Sequence, residues 1–265
     1  PGDKIINLPP TFGMYAVSAK SQGGIIVNIP RDEHFDIDVS TVINNIENNT
    51  RLLFLTNPNN PTGTLTREDS IRSLLDAGLI VIVDETYHEF CGYTVAHLIP
   101  EYDNLIILRT FSKWAGLAGL RVGFGVFPPS VADVLMSIKQ PYNVNLAGEV
   151  AALAALTHSD DYGAQIEALV AVRNDLGDQL AAFSWLHPAP SDANFLLCRV
   201  DSENDGTQPT GLSLRDALAE QGVFVRYFDS PDRLRGYIRI SVPRPDQLDD
   251  LVERLGRAAT VAGLA

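Results

Sequence analysis

The stretch RLLFLTNPNNPTGTLTREDSIRSLLDAGLIVIVDETYHEF, residues 51–90, decides the fold. Arg51–Thr56 is an apolar run that reads as a strand and stops at the turn-rich NPNNPTG, residues 57–63. Thr66–Ala77 reads as a helix. Thr66 offers a cap, Glu68 and Asp69 fall in the first turn where the helix dipole favours negative charge, and Gly78 ends it. Leu79–Val83 (LIVIV) is apolar on both faces, which suits a parallel strand covered by helices on each side. Working outward, Ile25–Ile29 precedes this unit as a strand, and Asn104–Leu108 and Val122–Val126 follow it as two more. Strands separated by helices predict an α/β fold, a mainly parallel sheet flanked by helices.

The character changes after Pro141. Leu146–Thr157 is an Ala/Leu-rich helix, and Tyr162–Phe183 a longer one with Ile166, Leu169, Val170, Leu176 and Leu180 near helical spacing. HPAPSDA, from His187, reads as a loop. A strand (Asn194–Val200), a helix (Leu212–Gln221), two strands (Val223–Phe228, Tyr237–Val242) and a final helix (Pro245–Ala262) predict a smaller C-terminal α+β domain. The expected division is residues 1–160 as the large domain and 161–265 as connecting helix and small domain. DSENDGTQPTG, Asp201–Gly211, reads as an exposed loop.

Composition narrows the function. The chain has 265 residues, 20 Lys plus Arg against 33 Asp plus Glu, and a formal net charge of −13. Such a surface repels phosphate backbones, so nucleic acid is not an expected partner, and an anionic ligand needs a few local cations or backbone donors. Cys91 and Cys198 are the only cysteines, too few for a disulfide framework. They and the five histidines lack metal-ligand spacing, so no metal is expected. A reducing, cytoplasmic setting fits. The longest apolar runs are too short to span a bilayer, so no membrane is expected, and PGDKIINLPP lacks the features of a signal peptide.

Four local signals fall at the ends of predicted strands: NPNNPTG; Asp84 with Tyr87 in VDETYHEF; Lys113 in RTFSK; and Arg121, eight residues further on, in SKWAGLAGLRVGF. Ligands of open α/β sheets gather at the carboxyl ends of strands. Taken alone, each residue also has an ordinary explanation: a surface lysine, a carboxylate capping a helix, an Asn-Pro turn, a surface ion pair.

With PPTFGMY (residues 9–15) added, these runs resemble the class I/II aminotransferases that use pyridoxal phosphate, and within them the histidinol-phosphate aminotransferase branch. The resemblance extends to YIRISV, residues 237–242. It implies the fold-type I large domain with a small C-terminal domain, a homodimer, and transfer of an amino group between an amino-alcohol phosphate or amino acid and a 2-oxo acid. It assigns Lys113 as the amine that bonds the cofactor and moves the substrate proton. Asp84 is assigned to the pyridine nitrogen, Tyr87 and Asn60 to the phenolic oxygen, and Ser112 and Arg121 to the phosphate. Spacing to PTG selects Asn60 over Asn59. Phe12 aligns with the ring-stacking aromatic, where such relatives usually carry Tyr. Arg239 aligns with the substrate-carboxylate arginine, Arg226 with the substrate-phosphate arginine, and Asn194 with a position near the carboxylate. His88 reads as a loop residue, because Lys113 already fills the role of base. Threonine-phosphate decarboxylation, another aminotransferase specificity and non-catalytic cofactor binding are the competing readings. The family's N-terminal arm, early helices and Gly-Ser-rich phosphate turn have no counterpart here, which fits either a longer gene product or a natural or experimental truncation.

Overall fold

The computed structural model of the chain describes residues 1–201 and 210–264. The chain falls into two units: residues 1–60 with 64–163, and residues 61–63 with 164–265.

In the larger unit the order is β1 (Lys4–Asn7), α1 (Met14–Ser21), β2 (Ile25–Asn28), α2 (Val39–Asn44), β3 (Thr50–Thr56), α3 (Glu68–Asp76) and β4 (Ile80–Asp84). After these come α4 (His88–Cys91), β5 (Leu105–Thr110), β6 (Gly123–Val126), α5 (Pro129–Ile138) and α6 (Leu146–Thr157). The sheet order is β2–β1–β3–β4–β5–β6, parallel through β5 and antiparallel at β6. LIVIV supplies β4 near the centre, with Val81 and Val83 fully buried beside Leu53, Leu55, Leu105 and Ile107. α3 packs Ile71, Leu74 and Leu75 onto this core, the 3–4 spacing of a helix with one apolar face. Each such side chain contributes about 2 kcal/mol by leaving water. β6 lies so close to β5 that a Cβ on Gly123 would sit 2.7 Å from the Arg109 carbonyl oxygen, so glycine is required there.

α7 (Ser159–Ala181) follows, and the boundary expected after residue 160 falls inside it. The smaller unit holds β7 (Leu186–Pro188), β8 (Phe195–Val200), α8 (Thr210–Glu220), β9 (Arg226–Tyr227), β10 (Tyr237–Ser241) and α9 (Leu248–Ala262). Its sheet is antiparallel in the order β7–β8–β10–β9. One face, with Leu196, Cys198, Ile238 and Ile240, buries against Leu214 and Leu218 of α8 and Leu251 and Leu255 of α9. Arg226 and Arg239 are register partners that alternate with those core residues.

Several local expectations need correction. Thr66 does not cap α3: the helix starts at Glu68, and the buried Thr66 gives its N–H to Asn57 Oδ1 at 2.7 Å. His88 opens α4 rather than lying in a loop, and its Nδ1 is 2.9 Å from the Tyr93 carbonyl oxygen. The strand expected over Val223–Phe228 contracts to Arg226–Tyr227. The last helix starts at Leu248, after a 3₁₀ turn over Pro245–Gln247. Of the expected loop Asp201–Gly211, residues 202–209 lie outside the described residues. Among the described residues no helix is long and apolar enough to cross a membrane, and no His, Cys, Asp and Glu cluster could hold a metal.

Candidate active site

Within the larger unit, the carboxyl ends of β3, β4 and β5 enclose a cavity of about 270 Å³. Phe12, Asn60, Asp84, Tyr87, Ser112, Lys113 and Arg121 all line it. Sequence reasoning did not single out the four further polar lining residues, Tyr15, Thr56, Thr86 and Thr110.

The loop after β3 presents Asn60 because its neighbours are occupied. Asn57 donates its backbone N–H to the Asp84 carbonyl at 2.8 Å and its side-chain NH₂ to the Thr66 carbonyl at 3.2 Å. Asn59 is fully buried, donates to the Pro10 carbonyl at 3.0 Å and accepts from Thr11 Oγ1 at 2.9 Å. These asparagines hold the loop, and Asn60 is the one that reaches the cavity.

Asp84 ends β4 and is held from two sides. Thr86 donates to Oδ1 through its N–H at 3.0 Å and its hydroxyl at 2.6 Å, the Asx-type turn that Asp favours. Tyr15 donates its phenol to Oδ2 at 2.6 Å and lies 2.9 Å from Thr56 Oγ1. Burial first, and the Asp84 charge second, push the Tyr15 phenol far above its ordinary range, so it stays a donor. Its ring stacks on Phe54 at 4.7 Å and 2°, which fixes the hydroxyl's position. Phe12 meets Tyr15 edge-on, remains 42% exposed and lines the cavity, so it is not a core aromatic.

Lys113 sits in the turn after β5. Phe111, two residues before it, and Ala115, two after, are buried with Val122, Ala152 and Ala155. That cluster anchors the backbone while Lys113 itself stays exposed, with Nζ 6.0 Å from the Tyr87 ring centroid. Ser112 is fixed by Thr110, whose Oγ1 accepts the Ser112 N–H at 3.0 Å and donates to Ser112 Oγ at 2.8 Å. Arg121 has a left-handed backbone (φ 58°), an unusual state for a non-glycine residue, and donates to the Ala118 carbonyl at 3.0 Å. A second cavity of about 250 Å³ is also lined by Asp84, Thr86, Thr110, Ser112 and Arg121.

The other three expected site residues belong to the smaller unit. Asn194 precedes β8 and accepts the Val242 N–H at 3.0 Å on its carbonyl oxygen. Arg226 and Arg239 face each other across β9 and β10, so both project from the sheet face opposite the apolar core. Arg239 lies over the Phe195 ring at 4.9 Å and Arg226 over Phe228 at 5.7 Å.

Tyr15 and Thr86 had usable signals. Tyr15 follows Phe12 by three residues at a helix start, and Thr86 follows Asp84 by the two residues of an Asx turn. Thr56 and Thr110 close strands and carried none beyond that position.

Residues 1–255 match the family described as aminotransferase class I and II. The chain is 43% identical over 256 residues to a histidinol-phosphate aminotransferase of Dehalococcoides mccartyi, covering 97% of this chain and 70% of that one. It is 46% identical over 260 residues to one of Roseiflexus castenholzii, covering 98% and 69%. In fold it is similar to the histidinol-phosphate aminotransferase of Clostridium acetobutylicum, with TM-score 0.88 at 24% identity over 98% of this chain and 79% of that one. The Sinorhizobium meliloti enzyme, solved in complex with pyridoxal-5'-phosphate, gives TM-score 0.87 at 24% identity over 100% and 72%. The cavity and its polar lining therefore sit in a chain that belongs to the class I and II aminotransferase family.

Proposed function

We propose that this chain moves an amino group between L-histidinol phosphate and 2-oxoglutarate, with pyridoxal 5'-phosphate as cofactor. The relatives' names support the substrate pair. One feature of this chain carries it: Arg226 directly opposite Arg239. Two guanidinium groups side by side on one sheet face can grip the same doubly charged anion. A phosphate ester brings two negative charges in one half-reaction, and a dicarboxylate brings two in the other. Arginine's planar fork suits both groups.

The residues around the cavity fit the cofactor. They combine a triply hydrogen-bonded carboxylate, a phenol, an amide, a primary amine, a hydroxyl with a guanidinium, and an exposed aromatic face. When bound, pyridoxal phosphate supplies a carbonyl carbon and an electron-accepting ring. Lys113 is the nucleophilic amine that would bond it, and the same amine would carry the proton between the substrate's α-carbon and the cofactor's C4′. Asp84, with Tyr15 and Thr86 fixing its oxygens, holds a proton at the ring nitrogen. Tyr87 and Asn60 donate to the ring oxygen, Ser112 and Arg121 hold the phosphate, and Phe12 covers one ring face. Asn194 and Arg239 orient the substrate in the carboxylate position, and Arg226 reads its phosphate.

The working form is a homodimer. Leu146, Val150 and Leu153, one stripe of α6 at helical spacing, are 75%, 58% and 58% exposed, which supports a second copy covering them. Two free thiols, Cys91 and Cys198, support a reducing, cytoplasmic setting.

The test is the visible spectrum of the pyridoxal-phosphate-loaded protein before and after L-histidinol phosphate. The expected result is loss of the Lys113-dependent band, its return with 2-oxoglutarate, and no response to common amino acids other than glutamate. A response only to other amino donors, or CO₂ release from a phosphorylated amino acid, would overturn the substrate. Light scattering checks the dimer.

A further inference from the structure

The residue after Asp84, Glu85, is almost fully buried, at 1% exposure, although it is a carboxylate. Its position explains its partners. Asp84 and Glu85 are consecutive at the end of β4, so their side chains leave in opposite directions. Asp84 lines the cavity and Glu85 does not. Arg109 of β5 donates to Glu85 Oε2 through Nε at 3.0 Å and an NH₂ at 2.8 Å, a bidentate grip on one oxygen. The other oxygen, Oε1, accepts the Val95 N–H at 2.9 Å, and Thr94 Oγ1 lies 2.9 Å from both oxygens. Arg109 also donates to Thr94 Oγ1 at 2.8 Å, and that hydroxyl accepts the Ala96 N–H at 3.0 Å. Backbone bonding continues the junction, with the Glu85 N–H on the Leu108 carbonyl at 2.8 Å.

The Glu85–Arg109 bonds join two segments that carry the cavity. Glu85 lies between Asp84 and Tyr87, and Arg109 leads directly into Thr110, Ser112 and Lys113. A buried ion pair costs desolvation and is not needed for stability, so its use here calls for a positional reason. The ladder between β4 and β5 ends with the Asp84–Leu108 pair and the Glu85 N–H bond to Leu108, and past it the Glu85–Arg109 side-chain link ties the two strand exits together.

We propose that the Glu85–Arg109 pair, with Thr94, is a brace that sets the spacing between the Asp84–Tyr87 segment and the Ser112–Lys113 segment. Glu85 and Arg109 are positioning residues in this scheme, acting through their chain neighbours. Their effect on pyridoxal phosphate rests on the function proposed above. The brace itself does not.

Glu85→Gln tests it selectively. Glutamine keeps an acceptor for Val95 N–H and Thr94, and turns its NH₂ toward the Arg109 donors. Two readouts are compared with wild type: hydrogen exchange of the cofactor-free protein, and the dissociation constant for pyridoxal phosphate by fluorescence. Arg109→Lys, which keeps the charge and loses the fork, is run beside it, and Leu74→Ala serves as a core-destabilising control. The expected result is faster exchange over residues 84–96 and 109–114, no change over β3, and about tenfold weaker cofactor binding. Arg109→Lys should fall between Glu85→Gln and wild type, and Leu74→Ala should lower the melting temperature without weakening the cofactor. Unchanged exchange in the Glu85→Gln protein would overturn the brace. Faster exchange with unchanged cofactor binding would overturn its positioning role. Wild-type protein that takes up no pyridoxal phosphate would sink the functional reading, with the exchange comparison still deciding the brace.

Discussion

The two units treat charge in opposite ways. In the larger one, polar groups at the strand ends are already answered by protein partners: Asp84 by Tyr15 and Thr86, Glu85 by Arg109, Thr94 and Val95. In the smaller one, Arg226 and Arg239 are set directly against each other and steadied by the rings of Phe228 and Phe195. The first arrangement is complete before a ligand arrives and fixes geometry. The second presents two guanidinium groups on one sheet face, the arrangement proposed above to bind the substrate's anionic groups and select for charge. One chain thus separates rigid positioning of chemistry from recognition of a changing substrate, as two alternating substrates require.

The sharpest way to break this division is Lys113→Ala. The variant should keep its fold by circular dichroism and lose about 10⁴-fold in turnover, since amine and proton carrier vanish together. Substantial remaining transfer would remove Lys113 from the chemistry. Next in size, Arg226→Ala should raise KM for the phosphorylated substrate about thirtyfold, from loss of roughly 2 kcal/mol of charged hydrogen bonding. Its melting temperature should hold, because Arg226 is an exposed side chain on a two-residue strand. A lower melting temperature would make the two units alike. Tyr15→Phe should do the reverse. It deletes a donor to Asp84, so stability should fall by about 1 kcal/mol, read as a melting shift of about 2–4 °C, with weaker cofactor binding.

The last expected effect is a pH dependence confined to the larger unit. Burial, with the Glu85 charge adding to it and Arg109 opposing it, lifts Glu89 to about 7, and its Oε2 is buried with no hydrogen-bond partner. A carboxyl raised in the folded state binds more protons there than in the unfolded chain. Its contribution is therefore present below the ordinary glutamate range and lost as pH rises toward about 7. Glu89→Gln should flatten the stability profile between about pH 4.5 and 7. Denaturant titrations across that range would show it, and a slope unchanged by the substitution would assign the dependence elsewhere.

How far the sequence foretold this depends on whether local pattern or distant contact sets a residue's place. LIVIV could be read at once, because a strand buried on both faces is apolar at every position. NPNNPTG, DETY and RTFSK could be read because their order fits one family, and all seven expected cofactor residues line a single cavity. Thr66 misled because a side chain nine residues back took its N–H, a tertiary bond that no helix signature contains. β1 has four residues, too few for a pattern, and β9 only two. α5 buries none of its residues in this chain, so its apolar side chains follow no inward face. Tyr15 went unmarked because its importance lies in a hydrogen bond across 69 positions.

Cys198, in the middle of β8, has a consequence for handling the protein. It is fully enclosed by the core of the small sheet, and burial pushes its thiol up to about 12. Near neutral pH it offers almost no thiolate to an alkylating reagent, whereas Cys91 is only half-buried. Slow modification at position 198 therefore keeps time with opening of that sheet, and the chain carries its own clock for local unfolding without an added label.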